Sequence, residues 1–159
     1  METQNRANEH AMGLDDAALE KVLAVLPLTA YGAGETVLIA GSKTGRLLIL
    51  KRGAVVILKD SIEIARVEQA GAVFGELSAL LDQPHVADVR ALEDSLFYVA
   101  DAALLGKDPI ALLHVARILA RRLIAADGSL VELKRQLQAG QPPGTLKRMI
   151  EKVQEALSL

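Results

Sequence analysis

The stretch VFGELSALLDQPHVADVRAL, Val73 to Leu92, carries the decisive change of period in this chain. GELSALL (75–81) has the apolar spacing of a short helix, whereas VADVRAL (86–92) alternates as a strand does. A helix set between strands and opened by a glycine lets backbone amides come close to an anion, and the helix dipole adds to the attraction. Glu76, in that same turn, is unfavourable beside a phosphate unless its carboxylate points away to accept hydrogen bonds, for example from sugar hydroxyls. Phosphate and ribose are therefore a coherent ligand pair for this turn. The competing reading is a plain Gly-Glu turn at a strand end with no ligand.

Around this stretch, Leu28 to Ala100 alternates apolar runs with glycines at Gly32, Gly34, Gly41, Gly45, Gly53, Gly71 and Gly75, the mark of short strands and tight turns. Strands are predicted at TVLIA (36–40), RLLILKRG (46–53), AVVIL (54–58), IEIARVE (62–68), VADVRAL (86–92) and SLFYVA (95–100), with Lys59, Asp60 and Ser61 turning a hairpin. This spacing predicts a mainly β domain with flanking helices, an antiparallel sandwich, jelly roll or barrel. LDDAALEKVLAVL (14–26) is a leading helix that Asp15 or Asp16 caps and Pro27 stops. DAALLG (101–106) is a short helix between an Asp101 cap and a Gly106 stop, and Asp108-Pro109 opens a long helix running to about Ala139.

In that long helix Leu112, Ala116, Leu119, Leu123, Ala126, Leu130, Leu133 and Leu137 form a heptad seam. Its first half is expected to lie against the chain's own barrel, where Ile110, Leu113, Val115 and Ile118 widen the apolar face. The stretch Leu119, Leu123, Ala126, Leu130, Leu133 and Leu137 is expected to pair with a second copy. Asp127 and Gly128 interrupt the seam, and because an interior glycine costs about 1 kcal/mol the helix is expected to bend or fray there. Gly140-Gln141-Pro142-Pro143-Gly144 ends it, and TLKRMIEKVQEALSL (145–159) predicts a short tail helix with Leu146, Met149, Ile150, Val153 and Leu157 on one side. Residues 1–13 are polar and unpatterned and read as a mobile arm, which leaves one domain over 14–139 and a turn with tail helix over 140–159.

Composition removes several classes of function. Eighteen Lys and Arg stand against 20 Asp and Glu, a formal charge of −2, so a broadly basic nucleic-acid surface is disfavoured. The four aromatics, Tyr31, Phe74, Phe97 and Tyr98, leave little for a base-stacking platform. Zero cysteines exclude thiolate metal sites and thiol nucleophiles and fit a reducing compartment. No apolar stretch approaches the roughly 18 residues of a membrane span, so a cytoplasmic location is expected. His10, His85 and His114 share no metal-ligand spacing, and no nucleophile triad or carboxylate pair stands out, so neither metal, cofactor nor catalysis is expected.

The 73–92 string resembles the phosphate-binding cassette of cyclic-nucleotide-binding domains, the family of catabolite-activator and FNR-type bacterial regulators and of regulatory domains in cyclic-nucleotide-dependent kinases and channels. YGAGETVLIAGSKTGRLLILKRGAVVIL (31–58) is similar to the family's opening strands and ARILARRL (116–123) to the start of its C-terminal helix, so the likeness spans residues 14–138. The resemblance implies an antiparallel β-roll with a short cassette helix and a long C-terminal helix. It implies that Phe74, Gly75, Glu76, Leu77 and Ser78 contribute to the ligand site, with the Gly75 and Leu77 amides near a cyclic phosphate and Glu76 accepting from the ribose 2′-hydroxyl. It places His85, Val86 and Ala87 after the cassette proline, where the family usually carries an arginine and then a small hydroxyl residue. Arg122 holds the first purine-contact position of the long helix. Ala126 and Asp127 hold the next two, where Ala126 offers a base no hydrogen bond, so cyclic AMP and cyclic GMP are not distinguished.

The departure at His85 has a size. Replacing a charge-assisted hydrogen bond by a neutral one, or by none, costs roughly 1.5–3 kcal/mol, about tenfold to 150-fold in affinity. An anion beside His85 raises its pKa, so such a site is expected to tighten as pH falls toward 6. The alternative for His85 is a surface or strand-end residue with no ligand. Arg90 is no ready substitute, because an odd separation in a regular strand turns it to the opposite face. The expected function is a stand-alone regulatory module that binds cyclic AMP or cyclic GMP weakly and signals through its C-terminal helix. It is expected to act as a homodimer, with an unidentified protein partner possible and no direct DNA or membrane binding. The opposing expectation is a dimeric interaction scaffold that has lost nucleotide binding.

Overall fold

The computed structural model describes residues 16–140 together with Arg148 and Glu151. The expected arm with His10, the start of the leading helix at Leu14 and Asp15, and the tail residues Leu146, Met149, Ile150, Val153 and Leu157 lie outside the described residues.

Helix α1 (Asp16–Ala24) precedes eight strands: β1 (Leu28–Tyr31), β2 (Thr36–Leu38), β3 (Arg46–Arg52), β4 (Val55–Lys59), β5 (Ile62–Val67), β6 (Val73–Phe74), β7 (Asp88–Ala91) and β8 (Ser95–Asp101). Helix α2 (Glu76–Leu81) lies between β6 and β7, and α3 (Ala102–Leu105) and α4 (Pro109–Gln138) follow β8. The strands make two four-stranded sheets, ordered β1-β8-β3-β6 and β2-β7-β4-β5, with every pairing antiparallel.

The strand β3 shows how the layers arise. Its uninterrupted apolar run Leu47-Leu48-Ile49-Leu50 is buried throughout, as expected for a strand covered on both faces. Leu48 and Leu50 enter the core between the sheets with Val37, Leu38, Val55, Phe74, Val89 and Phe97. Leu47 and Ile49 enter a second core with Val73, Ala100, Leu105, Ala111, Val115 and Ile118, where α3 and α4 cover the first sheet. Phe97 is fully buried and meets Tyr31 and Phe74 edge-on, with ring centroids 5.7 and 6.1 Å away.

Two of the eight strands were not foreseen. β1 is Leu-Thr-Ala-Tyr, too weakly apolar to announce itself, and β6 is only two residues long. The hairpin turn is also shorter than expected. Asp60 and Ser61 both take positive φ, +51 and +64°, in a two-residue loop, and Lys59 belongs to β4, paired with Ile62.

Asp108 caps α4 as expected, its Oδ1 accepting from the Ile110 and Ala111 amides at 2.9 and 3.1 Å, with Pro109 opening the helix. Two expectations for α4 are corrected. The helix runs unbroken through Asp127 and Gly128, because Gly128 is on an open face where its missing side chain costs only propensity. The face against the barrel is Ala111, Val115 and Ile118, while Leu112 and Ala116 of the seam are exposed. The seam is thus turned outward: Leu119, Ala126 and Leu133 are half-buried and Leu123, Leu130 and Leu137 are about two-thirds exposed, at 62, 64 and 63%.

Candidate functional site

At the end of β6 the chain turns sharply into α2 through Gly75, whose φ is +82°. A Cβ here would stand 2.5 Å from the Arg46 carbonyl oxygen, so only glycine lets the turn lie against the start of β3. The 41–45 loop fastens the same turn. The Ser78 hydroxyl, buried, accepts from the amides of Thr44 and Gly45 at 3.0 and 2.9 Å. His85 Nε2 shares a hydrogen bond with the Thr44 hydroxyl at 3.1 Å, while the His85 amide donates to the Ser42 carbonyl and its carbonyl accepts from the Gly41 amide, both at 2.8 Å.

These elements enclose a cavity of about 120 Å³. Phe74, Gly75, Glu76, Leu77, His85, Val86, Ala87 and Arg122 all line it, so residues 35 or more positions from Arg122 in sequence meet the long helix here. Ser78 does not line it, because its hydroxyl is committed to the 41–45 loop. Leu38, Ile57, Val73 and Val89 complete the apolar wall. They were legible only as strand residues, since nothing local says which face of the roll meets the cassette.

Arg122 crosses from α4 to the cassette. Its Nη1 donates to Glu76 Oε1 at 3.0 Å and its Nη2 to the Val73 carbonyl at 2.6 Å, with both charged side chains about four-fifths buried. Its Nε–H is buried and finds no acceptor among the described residues. His85 is only 5% exposed, which sets aside the surface reading of this residue. Burial pushes its pKa below the ordinary histidine range, and the nearby Glu76 carboxylate opposes this only in part. Arg90 is exposed on β7, which pairs with β4 in unbroken register, and is absent from the cavity wall.

His114 packs on the loop before β6, Nε2 3.4 Å from the Gly71 carbonyl oxygen. Burial lowers its pKa, the Gly71 carbonyl counters this, and Arg121 and Arg117 lower it further. No cluster of three potential metal ligands is found among the described residues. No helix among them is long and apolar enough to cross a membrane.

Two antiparallel sheets rolled around one core, with a glycine-turned cassette facing a long helix across a small cavity, define a β-roll domain. The sequence profile of the cyclic nucleotide-binding domain family matches residues 28–107, and the chain belongs to that family. Among solved structures, the Thermus thermophilus catabolite activator protein superposes with a TM-score of 0.65 at 22% identity, over 92% of this chain and 83% of that one. A PKAR CBD2 domain with Sp-2Cl-cAMPS bound gives 0.61 at 26% identity, over 77% and 81%. A cyclic nucleotide-binding domain from Methylobacillus flagellatus KT gives 0.60 at 24%, over 69% and 68%. No curated protein matches the chain.

Proposed function

We propose that this chain is a regulatory binding module that takes cyclic AMP or cyclic GMP into the cassette cavity and passes the event to α4, acting as a homodimer in the cytoplasm without contacting DNA itself. The observation that carries this reading is the convergence of Gly75, Glu76 and Leu77 with Arg122 on one cavity. The largely buried Glu76 carboxylate, held by Arg122, is an acceptor suited to ribose hydroxyls. The outward seam from Leu119 to Leu137 supports pairing with a second copy, because an apolar heptad stripe gains by leaving water. Weak binding follows from His85, which stands where the family usually carries arginine.

The cavity, at about 120 Å³, is below the roughly 300 Å³ at which pockets for drug-sized ligands begin, and a ligand that widens it moves the cassette or α4. Such widening would couple binding to helix position, provided the ligand prefers the widened arrangement. The same narrowness, with His85 Nε2 engaged by Thr44, favours the second reading, a dimeric scaffold that no longer binds nucleotide.

Titration calorimetry and thermal shift with cyclic AMP and cyclic GMP up to millimolar separate the two, because a ligand that binds only the native state raises its stability by mass action. Saturable binding that Glu76→Ala abolishes supports the sensor. Silence from wild type and from His85→Arg alike supports the scaffold.

A further inference from the structure

Three titratable side chains line the cavity: Glu76 from α2, His85 from the segment before β7, and Arg122 from α4. The rest of the wall is apolar side chain and glycine backbone. An anionic ligand entering this space meets one carboxylate, one histidine whose pKa is pushed down by burial, and one guanidinium. On His85, Nε2 bonds Thr44 and both backbone groups are tied to the 41–42 turn, which leaves only Nδ1 for a ligand. Arg122 keeps more: it spends two N–H groups on Glu76 and Val73, and its Nε–H has no acceptor among the described residues. A guanidinium carries five N–H donors, so it can keep its Glu76 bond and still offer others to an anion.

We infer that Arg122, on the long helix, supplies the positive charge that answers the ligand's anionic group, in place of a cassette cation. This rests on the cyclic-nucleotide reading and adds the route of coupling. The ligand's charge then acts on α4 itself rather than on the cassette alone. An anion that reaches the orphaned buried Nε–H gives it an acceptor, which favours the bound arrangement of the helix.

The test uses the full chain with four probes, cyclic AMP, cyclic GMP, adenosine and guanosine, the nucleosides keeping the ribose and base but lacking the charge. Calorimetry is run at pH 6, 7 and 8 on wild type, Arg122→Gln, Arg122→Lys and His85→Ala, with urea midpoints to show that each variant is folded. Arg122→Gln is expected to cost cyclic-nucleotide affinity at least tenfold more than nucleoside affinity. Arg122→Lys is expected to recover part of the loss, and wild-type affinity is expected to be flat from pH 6 to 8. Equal losses of nucleotide and nucleoside in Arg122→Gln overturn the inference alone, because Arg122 then acts only by positioning Glu76. So does a wild-type affinity that tightens toward pH 6 and loses that dependence in His85→Ala. A wild type that binds none of the four removes the cyclic-nucleotide reading itself, and the inference with it.

Discussion

Replacing Gly75 by alanine tests the cassette geometry at its tightest point. Two effects add. Any residue other than glycine held at a φ of +82° is in left-handed space, which costs roughly 1–2 kcal/mol. The new methyl group also lies 2.5 Å from the Arg46 carbonyl oxygen and 3.4 Å from His85 Cε1. The first contact is with backbone, so no rotamer change relieves it, and either the start of β3 or the cassette has to move, for about another 1–3 kcal/mol. A loss of roughly 2–5 kcal/mol is therefore expected, with cyclic-nucleotide binding lost alongside it. Gly128→Ala is the control: it sits in α4 with nothing within 4 Å of the added carbon, and it is expected to gain about 0.8–1 kcal/mol. Urea unfolding followed by circular dichroism, at one protein concentration and with unchanged m-value, reads both. A Gly75→Ala midpoint equal to wild type, or a Gly128→Ala midpoint below it, refutes the geometry on which the site is built.

His85→Arg places a fixed charge in the cavity wall and is expected to raise cyclic-nucleotide affinity by tenfold or more, about 1.4 kcal/mol or above, and calorimetry showing no gain refutes the reading of His85 as the weak point. Both described histidines have pKa values lowered by burial, so the unfolded chain takes up their protons first as acid is added. Their contribution to stability is then complete above pH 6.5 and is lost as pH falls from there through the folded values. Urea midpoints are expected to decline from pH 7.5 to 5.5, less so in His114→Gln, and a flat profile refutes the burial argument. At the seam, Leu130→Asp places two carboxylates where two leucines each gain roughly 1.5–3 kcal/mol by burial, so light scattering is expected to show a dimer for wild type and a monomer for the variant. Wild type at monomer mass refutes the pairing.

The fold was legible wherever the sequence carried a strong local signal. The four-residue apolar run of β3, the Asp-Pro cap of α4 and the Gly75 turn each name their own structure, because periodicity, capping and positive φ are local demands. β1 and β6 were hidden for the opposite reason: their place is set by pairing with β8 and β3, residues distant in the chain. The site followed the same division. The cassette string points to Glu76, Leu77 and Ser78 alike, but the Ser78 hydroxyl holds the 41–45 loop, a partner more than 30 residues away that no local pattern shows. The partner of Glu76 was named only as a separate helix residue, since no local rule links positions 46 residues apart.

On the proposed function, that pairing is also where a signal would leave the domain. The buried positions of α4, Ala111, Val115 and Ile118, recur at helical spacing, and the next position on that same face, four residues on, is Arg122. Beyond it no described residue of α4 is buried, and the helix continues to Gln138 with its leucine seam facing outward. Among the described residues Arg122 makes the last hydrogen bonds from the helix to the cassette and β6, and that anchor is polar. A hydrophobic anchor there would hold α4 equally with or without ligand. On the inference drawn above, a guanidinium shared between Glu76, the Val73 carbonyl and an incoming anion would hold it differently in the two states, and that difference is what linkage requires of a coupling residue.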